Sequence, residues 1–424
     1  MTAPDRSSHA PAVAGGAAPA GPAAPGGGTV PVFRRGEWYD SLDSAPLPGG
    51  GGWRLSLVPR ALIAADARRS RAAPGPPPDH AQRLRIVRRA LDLFDQGTLP
   101  IGSLGDQDAA GFRAAMASVA GLPEPLTEQW ITLLRDSLPA GTPPPGPPAT
   151  RTLVSLPANT FTCLVSVLDA VLTSETVWIR PSRREPLSAV RMVAALLAAG
   201  WPADRLACYS TVPELLPTLI TLTDRQIIYG GDGIAAQLPE LPTLTLHGPG
   251  RGCALVPADH DPQAAADWLT PLVAGNSGRF CKNVRTVLCA GDPAPVARAL
   301  GARLDAIGIQ PPDSAHPQAA IPDPVMAPRI AELAHRLIQP ADEVVTTRPL
   351  LHRHGPLVFL APTLIRLADP GTPDAPHPLV GRELPFPFAA VLRAGPALAD
   401  AVQQRSLFVH TMPGGPSPDQ GVDA

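Results

Sequence analysis

From about residue 150 the chain alternates short apolar runs with longer amphipathic ones, and this alternation limits the folds open to it. "RTLVSLPAN", "TVWIRPS", "DRLACYST" and "RQIIYGGD" read as strands. "FTCLVSVLDAVLTSE" and "EPLSAVRMVAALLAAG" read as helices between them, the second closed by Gly200, and "ALVPADHD" follows. Strands joined through helices must run parallel, so the expected class is α/β with an open parallel sheet. Such sheets bind ligands beyond the carboxyl ends of their strands. Asn159, Arg180, Ser182, Gly230 and Gly231 all fall at such ends.

The first 150 residues have a different texture. The chain holds 56 prolines and 38 glycines, crowded into the two ends and a central stretch. Segments such as "GGAAPAGPAAPGGG" bury too little apolar surface to offset the entropy of ordering. Residues 1–50 and 411–424 are therefore expected to be disordered tails, with a Pro-rich loop at 142–149. Between them "HAQRLRIVRRALDLFDQG" reads as an amphipathic helix. Leu84, Val87, Leu91 and Phe94 share one face, Arg85, Arg88 and Arg89 lie opposite, and Gly97 stops it. "EPLTEQWITLLRDSLPAG" is a second helix, with Trp130, Leu133 and Leu134 inward.

Several function classes lack support. A net charge of −2 gives no electrostatic case for nucleic acid or an anionic membrane surface. Five cysteines form no C-x-x-C pair, no metal spacing and no disulfide framework, which fits a reducing, cytoplasmic compartment. No signal peptide and no membrane span are expected.

The richest stretch for chemistry is "AGNSGRFCKNVRTVLC". It holds the sole lysine of the chain, Lys282, beside Cys281. Cys281 reads either as a nucleophile or as a small buried residue. Lys282 and Arg279 would lower its pKa if they pointed at it.

Four further patterns stand around this one: "LPANTF", "WIRPSRR" and "IIYGGDGIA" before it, and "GRELPFPFAAVLRAG" after it. Their order resembles the aldehyde dehydrogenase superfamily, and most of all its acyl-CoA reductase branch, which includes the fatty-acyl reductases of bacterial luminescence. The resemblance covers roughly residues 150–410. It implies a Rossmann-like cofactor domain, here 51–250, joined to an α/β catalytic domain, here 251–410, with a cysteine nucleophile in the cleft.

In that resemblance Cys281 matches the nucleophile of "G-Q-x-C", with Arg279 in place of glutamine. Asn159 matches an asparagine whose amide supports the developing oxyanion; an Asx turn is the other reading. Arg180 stands where lysine is usual in "K-P-S". Ser182 belongs to the same turn. Arg183 lies near the position that reads the ribose 2′ group, so NADP(H) is expected over NAD(H); a solvated Arg-Arg turn is the alternative. Gly230 and Gly231 match the turn that approaches the pyrophosphate. Glu383 matches a glutamate that contacts the nicotinamide ribose, with Pro385 in place of phenylalanine; a solvated surface carboxylate is the other reading.

One departure bears on the reaction. Where the hydrolytic members carry a glutamate base in "E-L-G-G-K", this chain reads "TLHGPGRGC", with His247 in that place. The expected function is therefore NADPH-dependent reduction of an acyl thioester, on coenzyme A or a carrier, to an aldehyde through a thioacyl-Cys281 intermediate. Two alternatives stay open. One is NAD(P)-dependent aldehyde oxidation with His247 as base; the other is a non-catalytic partner of the same fold in a biosynthetic assembly. A carrier or acyl-transfer protein and a homo-oligomer are compatible partners, and no metal is expected.

Overall fold

The computed structural model describes residues 27–49, 51–69, 76–138, 148–308, 316–354 and 357–413. Two sheets organise them. The first takes β1 (Val32–Arg34), β2 (Glu37–Tyr39), β3 (Ala149–Ser155), β4 (Ser174–Arg180), β5 (Leu206–Cys208), β6 (Arg225–Tyr229) and β7 (Leu244–His247), in the order β7-β6-β3-β4-β5-β1-β2. Strands β3 to β7 run parallel, and the β1–β2 hairpin adds to the edge antiparallel.

The chain runs outward from β3 through β4 to β5, then returns to place β6 on the other side of β3. The reversal point is the gap between the carboxyl ends of β3 and β6, where an open α/β sheet has its crevice. Asn159 follows β3, and Tyr229 ends β6.

The second sheet holds β8 (Gly252–Val256), β9 (Val284–Cys289), β10 (Glu343–Val344), β11 (Thr363–Arg366), β12 (Phe388–Arg393) and β13 (Val409–Thr411), in the order β10-β11-β12-β9-β8-β13. Only β10 is antiparallel to its neighbour. Its inner strands β8, β9, β11 and β12 are buried on both faces, and β9 has no exposed residue. That is the expected texture of a parallel sheet covered on both sides.

The helices follow their sequence signals closely. α1 (His80–Gln96) begins with a capping box between Asp79 and Gln82 and ends at Gly97, with Val87, Leu91 and Phe94 buried and Arg85, Arg88 and Arg89 exposed. α2 (Ala109–Ala120) ends on Gly121, whose φ of 66° is a left-handed cap. α3 (Glu124–Asp136) buries Trp130 and Leu134. α4 (Val165–Thr173) and α5 (Leu187–Ala198) are the two helices read between the strands.

Two expectations of disorder are corrected. Within 27–49 the chain forms the β1–β2 hairpin and part of a small three-stranded sheet of Thr29–Val30, Arg54–Ser56 and Ser44–Pro46. Val30, Val32 and Phe33 are buried, and Phe33 packs edge-on against Trp38. Composition averaged over fifty residues hides this short β-forming run, "TVPVF", at the end of the Gly-rich stretch. At the other end, Thr411 is still in β13, and Met412 packs into the core beneath the second sheet. Residues 1–26, 50, 142–147 and 414–424, the remainder of the expected tails and loop, lie outside the described residues.

Candidate active site

The turn before β9 carries Cys281. Asn276 and Ser277 both hold left-handed backbone, with φ of 55° at each. Left-handed backbone at a non-glycine residue costs about 1–2 kcal/mol and persists only when its surroundings enforce it. Here they do. Trp130 Nε1 donates to Asn276 Oδ1 at 2.9 Å, and the Ala319 N–H donates to Ser277 Oγ at 2.9 Å. Asn283 closes the turn from the far side. Its Nδ2 donates to the Gly275 and Leu272 carbonyls at 2.9 and 3.0 Å, and its Oδ1 accepts from Phe280 N–H at 2.9 Å.

The two arginines of the turn are structural. Arg279 is buried and donates to the Ala120 and Ala320 carbonyls at 3.0 and 2.7 Å. Burial pushes its pKa down to about 10. Arg285, also buried, donates to the Phe386 and Gly278 carbonyls. Arg279 therefore points away from Cys281, and the expectation that it activates the thiol is corrected. It was placed by a motif position, whereas its direction is fixed by unpaired carbonyls at the end of α2 and in the 320 segment.

Cys281 is exposed, unlike Cys208, Cys253 and Cys289, and all five cysteines are free. Partial burial raises its pKa, and the Glu383 charge raises it further; the N–H groups of Cys281 and Lys282 and the Lys282 ammonium pull the other way without winning. Lys282 Nζ itself lies 5.6 Å from the Phe280 ring centroid, a cation–π distance. The resting thiol is thus accessible and braced but not pre-ionised.

Asn159 meets this turn directly. Its Nδ2 donates to the Arg279 carbonyl at 2.7 Å, two residues before Cys281. A primary amide has two N–H donors, so one remains. On the opposite side, a Cβ at Gly250 would fall 1.9 Å from the Cys281 carbonyl oxygen and 2.8 Å from Cys281 Cβ. Only glycine lets the segment after β7 pass so close.

Glu383 also belongs to this cluster. Its Oε1 accepts from Gly250 and Arg251 N–H at 2.7 and 3.2 Å, so it anchors the segment leading out of β7. His247, at the end of β7, stacks on Tyr229 with centroids 4.5 Å apart and planes 12° apart. Burial lowers its pKa, so the imidazole is neutral at neutral pH.

The cofactor-side candidates gather at the carboxyl ends of the first sheet. Arg180 donates to Thr211 Oγ1 at 3.0 Å and Ser155 Oγ at 3.3 Å, bracing three strand ends, and burial followed by Arg183 lowers its pKa. Ser182 Oγ accepts from Arg184 N–H at 3.2 Å. Arg183 is exposed, facing a hollow shared with Arg184, Ala45, Pro46 and Pro48. Gly230 donates to the His247 carbonyl at 3.2 Å, and Gly231 caps a single turn of helix, Asp232–Ala235. Asp232, in that turn, pairs with Arg251 at 2.5 Å. A cavity of about 130 Å³ has Asn159, Arg184, Glu185, Arg279 and Pro385 among its walls; Cys281 and the cofactor-side candidates do not line it.

Sequence reading passed over Tyr229, Cys163 and Ser166. Tyr229 was legible as one of three tyrosines in the chain, standing at a strand end before a glycine pair. Cys163 and Ser166 carried no signal, because they approach the site only through the packing of α4.

The arrangement of the sheets decides the fold. It is that of the aldehyde dehydrogenases. The structure matches a NAD-dependent benzaldehyde dehydrogenase from Corynebacterium glutamicum with a TM-score of 0.72 at 17% identity, over 91% of this chain and 90% of that one. It matches an NADP-dependent glyceraldehyde-3-phosphate dehydrogenase from Bacillus halodurans, solved with NADP, with a TM-score of 0.70 at 15% identity, over 90% of each chain. A NAD-dependent aldehyde dehydrogenase from Sinorhizobium meliloti gives 0.69 at 19% identity, over 88% of this chain and 80% of that one. No family model and no curated protein matches the sequence. Among the described residues no helix is long and apolar enough to cross a membrane, and no group of side chains could hold a metal ion.

Proposed function

We propose that this chain is a nicotinamide-dependent oxidoreductase of the aldehyde level, and that it reduces an acyl thioester to an aldehyde through Cys281. The observation that carries the reading is the pairing of an exposed thiol on a braced turn with the Asn159 amide held against that turn. The solved neighbours named above are NAD- or NADP-dependent dehydrogenases acting on aldehydes, and that supports the coarser half of the reading.

The residues at the first sheet's crevice fit a dinucleotide. Gly231 has open space where a side chain would stand, and Arg183 is an exposed cation at the rim. Arg180, Ser182, Arg183, Gly230 and Gly231 would hold it, with Arg183 suited to a 2′-phosphate and hence to NADP(H). Glu383, already bonded to two backbone N–H groups, has its second carboxylate oxygen left for a ribose hydroxyl. When bound in reduced form, such a cofactor supplies hydride.

The chain's own residues handle the acyl group. The Cys281 thiolate adds to the thioester carbonyl, the π pair moves onto oxygen, and the original thiolate leaves with the carbon–sulfur bond pair. Hydrogen-bond donors aimed at that oxygen are worth about 3–4 kcal/mol each, and the second Asn159 N–H is placed to be one. Release as aldehyde rather than acid is favoured because no carboxylate replaces the hydrolytic base; neutral His247 occupies its place, stacked on Tyr229. Incubation with a short acyl-CoA and NADPH should give stoichiometric aldehyde and oxidised cofactor. Formation of acid from aldehyde and NADP+, lost in His247→Ala, would favour the oxidative reading instead.

A further inference from the structure

We infer that Tyr229 is a catalytic residue of this site, donating a hydrogen bond from its hydroxyl to the oxyanion formed when Cys281 attacks an acyl thioester. The inference rests on the function proposed above and assigns it a residue outside the motif set. Tyr229 ends β6, and Asn159 follows β3, so the two flank the one gap in the first sheet where the strand order reverses. The phenol crosses that gap. Its hydroxyl lies 2.7 Å from Ser166 Oγ in the first turn of α4, three residues after Cys163. Its ring is held from the other side by the His247 stack, and Tyr229 and His247 are direct partners across β6 and β7. Beyond His247 the chain reaches Gly250, whose contact with Cys281 has been described. A half-buried phenol fixed at both ring and hydroxyl therefore stands over this gap, beside the strand end that carries the Asn159 loop, and near enough to Cys281 for the two to interact electrostatically.

The hydroxyl's chemistry suits donation rather than proton transfer. Burial, with Cys163, by its charge and a side-chain hydrogen bond, and Cys281 adding to it, holds its pKa well above the usual phenol range. It stays protonated throughout the working range and cannot yield its proton to a thiolate. A phenol has one donor and two acceptor sites, so Ser166 O–H can donate to the phenol oxygen while the phenol O–H turns to the substrate. As the Cys281–carbon bond forms, the carbonyl π pair becomes the oxyanion. Tyr229 stabilises that charge without changing protonation state, and the leaving thiolate takes its own electron pair. Asn159, with one of its two N–H groups committed to the Arg279 carbonyl, supplies a second donor.

The test compares two reactions of the same thiol in full-length protein without cofactor. One is acylation by butyryl-CoA, followed by intact mass; the other is alkylation by iodoacetamide, which passes through no oxyanion. In Tyr229→Phe, which keeps the stacked ring, acylation should slow by about 10²-fold while alkylation stays within about twofold of wild type, so that the two rates separate by a factor near that expected for one lost donor. Ser166→Ala should slow acylation less and leave alkylation unchanged. Equal acylation rates in wild type and Tyr229→Phe overturn the inference, as do equal losses in both reactions. If the wild-type protein takes no acyl group at Cys281, the proposed function fails together with the inference.

Discussion

The Cys281 turn and the Gly230–Gly231 turn are built to different standards. The Cys281 turn is over-determined: Trp130, Ser277, Asn283, Arg279 and Arg285 all bond its backbone or hold it to its neighbours, and most are buried. The Gly230–Gly231 turn leads into one exposed helical turn, stitched to the rest mainly by the Asp232–Arg251 pair, whose side chains are largely solvated. The first arrangement fixes the position of an exposed thiol and tolerates strained backbone to do so. The second has few preset hydrogen-bond partners and an acidic side chain, Asp232, nearby. On the proposed function, the difference teaches that positional precision is concentrated on acyl chemistry, with cofactor affinity left to Arg180 and Arg183.

The sharpest way to break the comparison is at Gly250. Gly250→Ala would force its Cβ into the Cys281 carbonyl, so the backbone there must move. Loss of Cys281 acylation by more than about 10²-fold is expected, since a displacement of about 1 Å at a reacting centre costs that much. Gly231→Ala, placed in open space, should leave acylation unchanged and thereby sharpen the contrast.

Next in size is Arg279→Ala. It strands the Ala120 and Ala320 carbonyls, each losing a charge-assisted bond of about 1.5–3 kcal/mol. Urea unfolding should show a stability loss of roughly 3–5 kcal/mol. Asp232→Ala, breaking the exposed pair, should cost under about 1 kcal/mol.

Arg279 and Glu383 show how far the sequence could be read. The alternation from 150 onward placed β3, β4, β5 and β6 and the helices between them, because parallel strands and their covering helices are written in local periodicity. The order Asn159, Arg180, Gly230, Cys281 and Glu383 was legible too; in the fold Asn159 bonds the Cys281 turn, Glu383 bonds the segment that passes against it, and Arg180 and Gly230 lie at strand ends of the first sheet. The directions of side chains were not legible. Arg279 looked like a charge beside a thiol and proved to be a clamp on two distant carbonyls, from residues that no local pattern links to it. Glu383 looked free to offer both oxygens, and one of them already accepts from Gly250 and Arg251 N–H. The N-terminal hairpin was missed because proline and glycine dominate its surroundings, and its partner β5 lies far along the chain.

A smaller effect concerns the thiol itself. The Glu383 charge disfavours the Cys281 thiolate and raises its pKa. Removing that charge in Glu383→Gln lowers the pKa, so the thiolate fraction at pH 8 rises. The pH profile of iodoacetamide alkylation should shift to lower pH, with the rate at pH 8 up by a few-fold. Smallest of all, Arg183→Ala should reduce the preference for NADPH over NADH by about 10-fold, the weight of one charge-assisted contact, measured as the ratio of the two dissociation constants.

The central claim is that Cys281 is an acyl-accepting nucleophile. The most direct test is the intact mass of the full-length protein after mixing with a panel of acyl-CoAs in the absence of cofactor. The account predicts a single acyl adduct that maps to Cys281, disappears in Cys281→Ser and is discharged as aldehyde when NADPH is added. An unmodified protein whose Cys281 still reacts with iodoacetamide, or an adduct carried by any other residue, would contradict it.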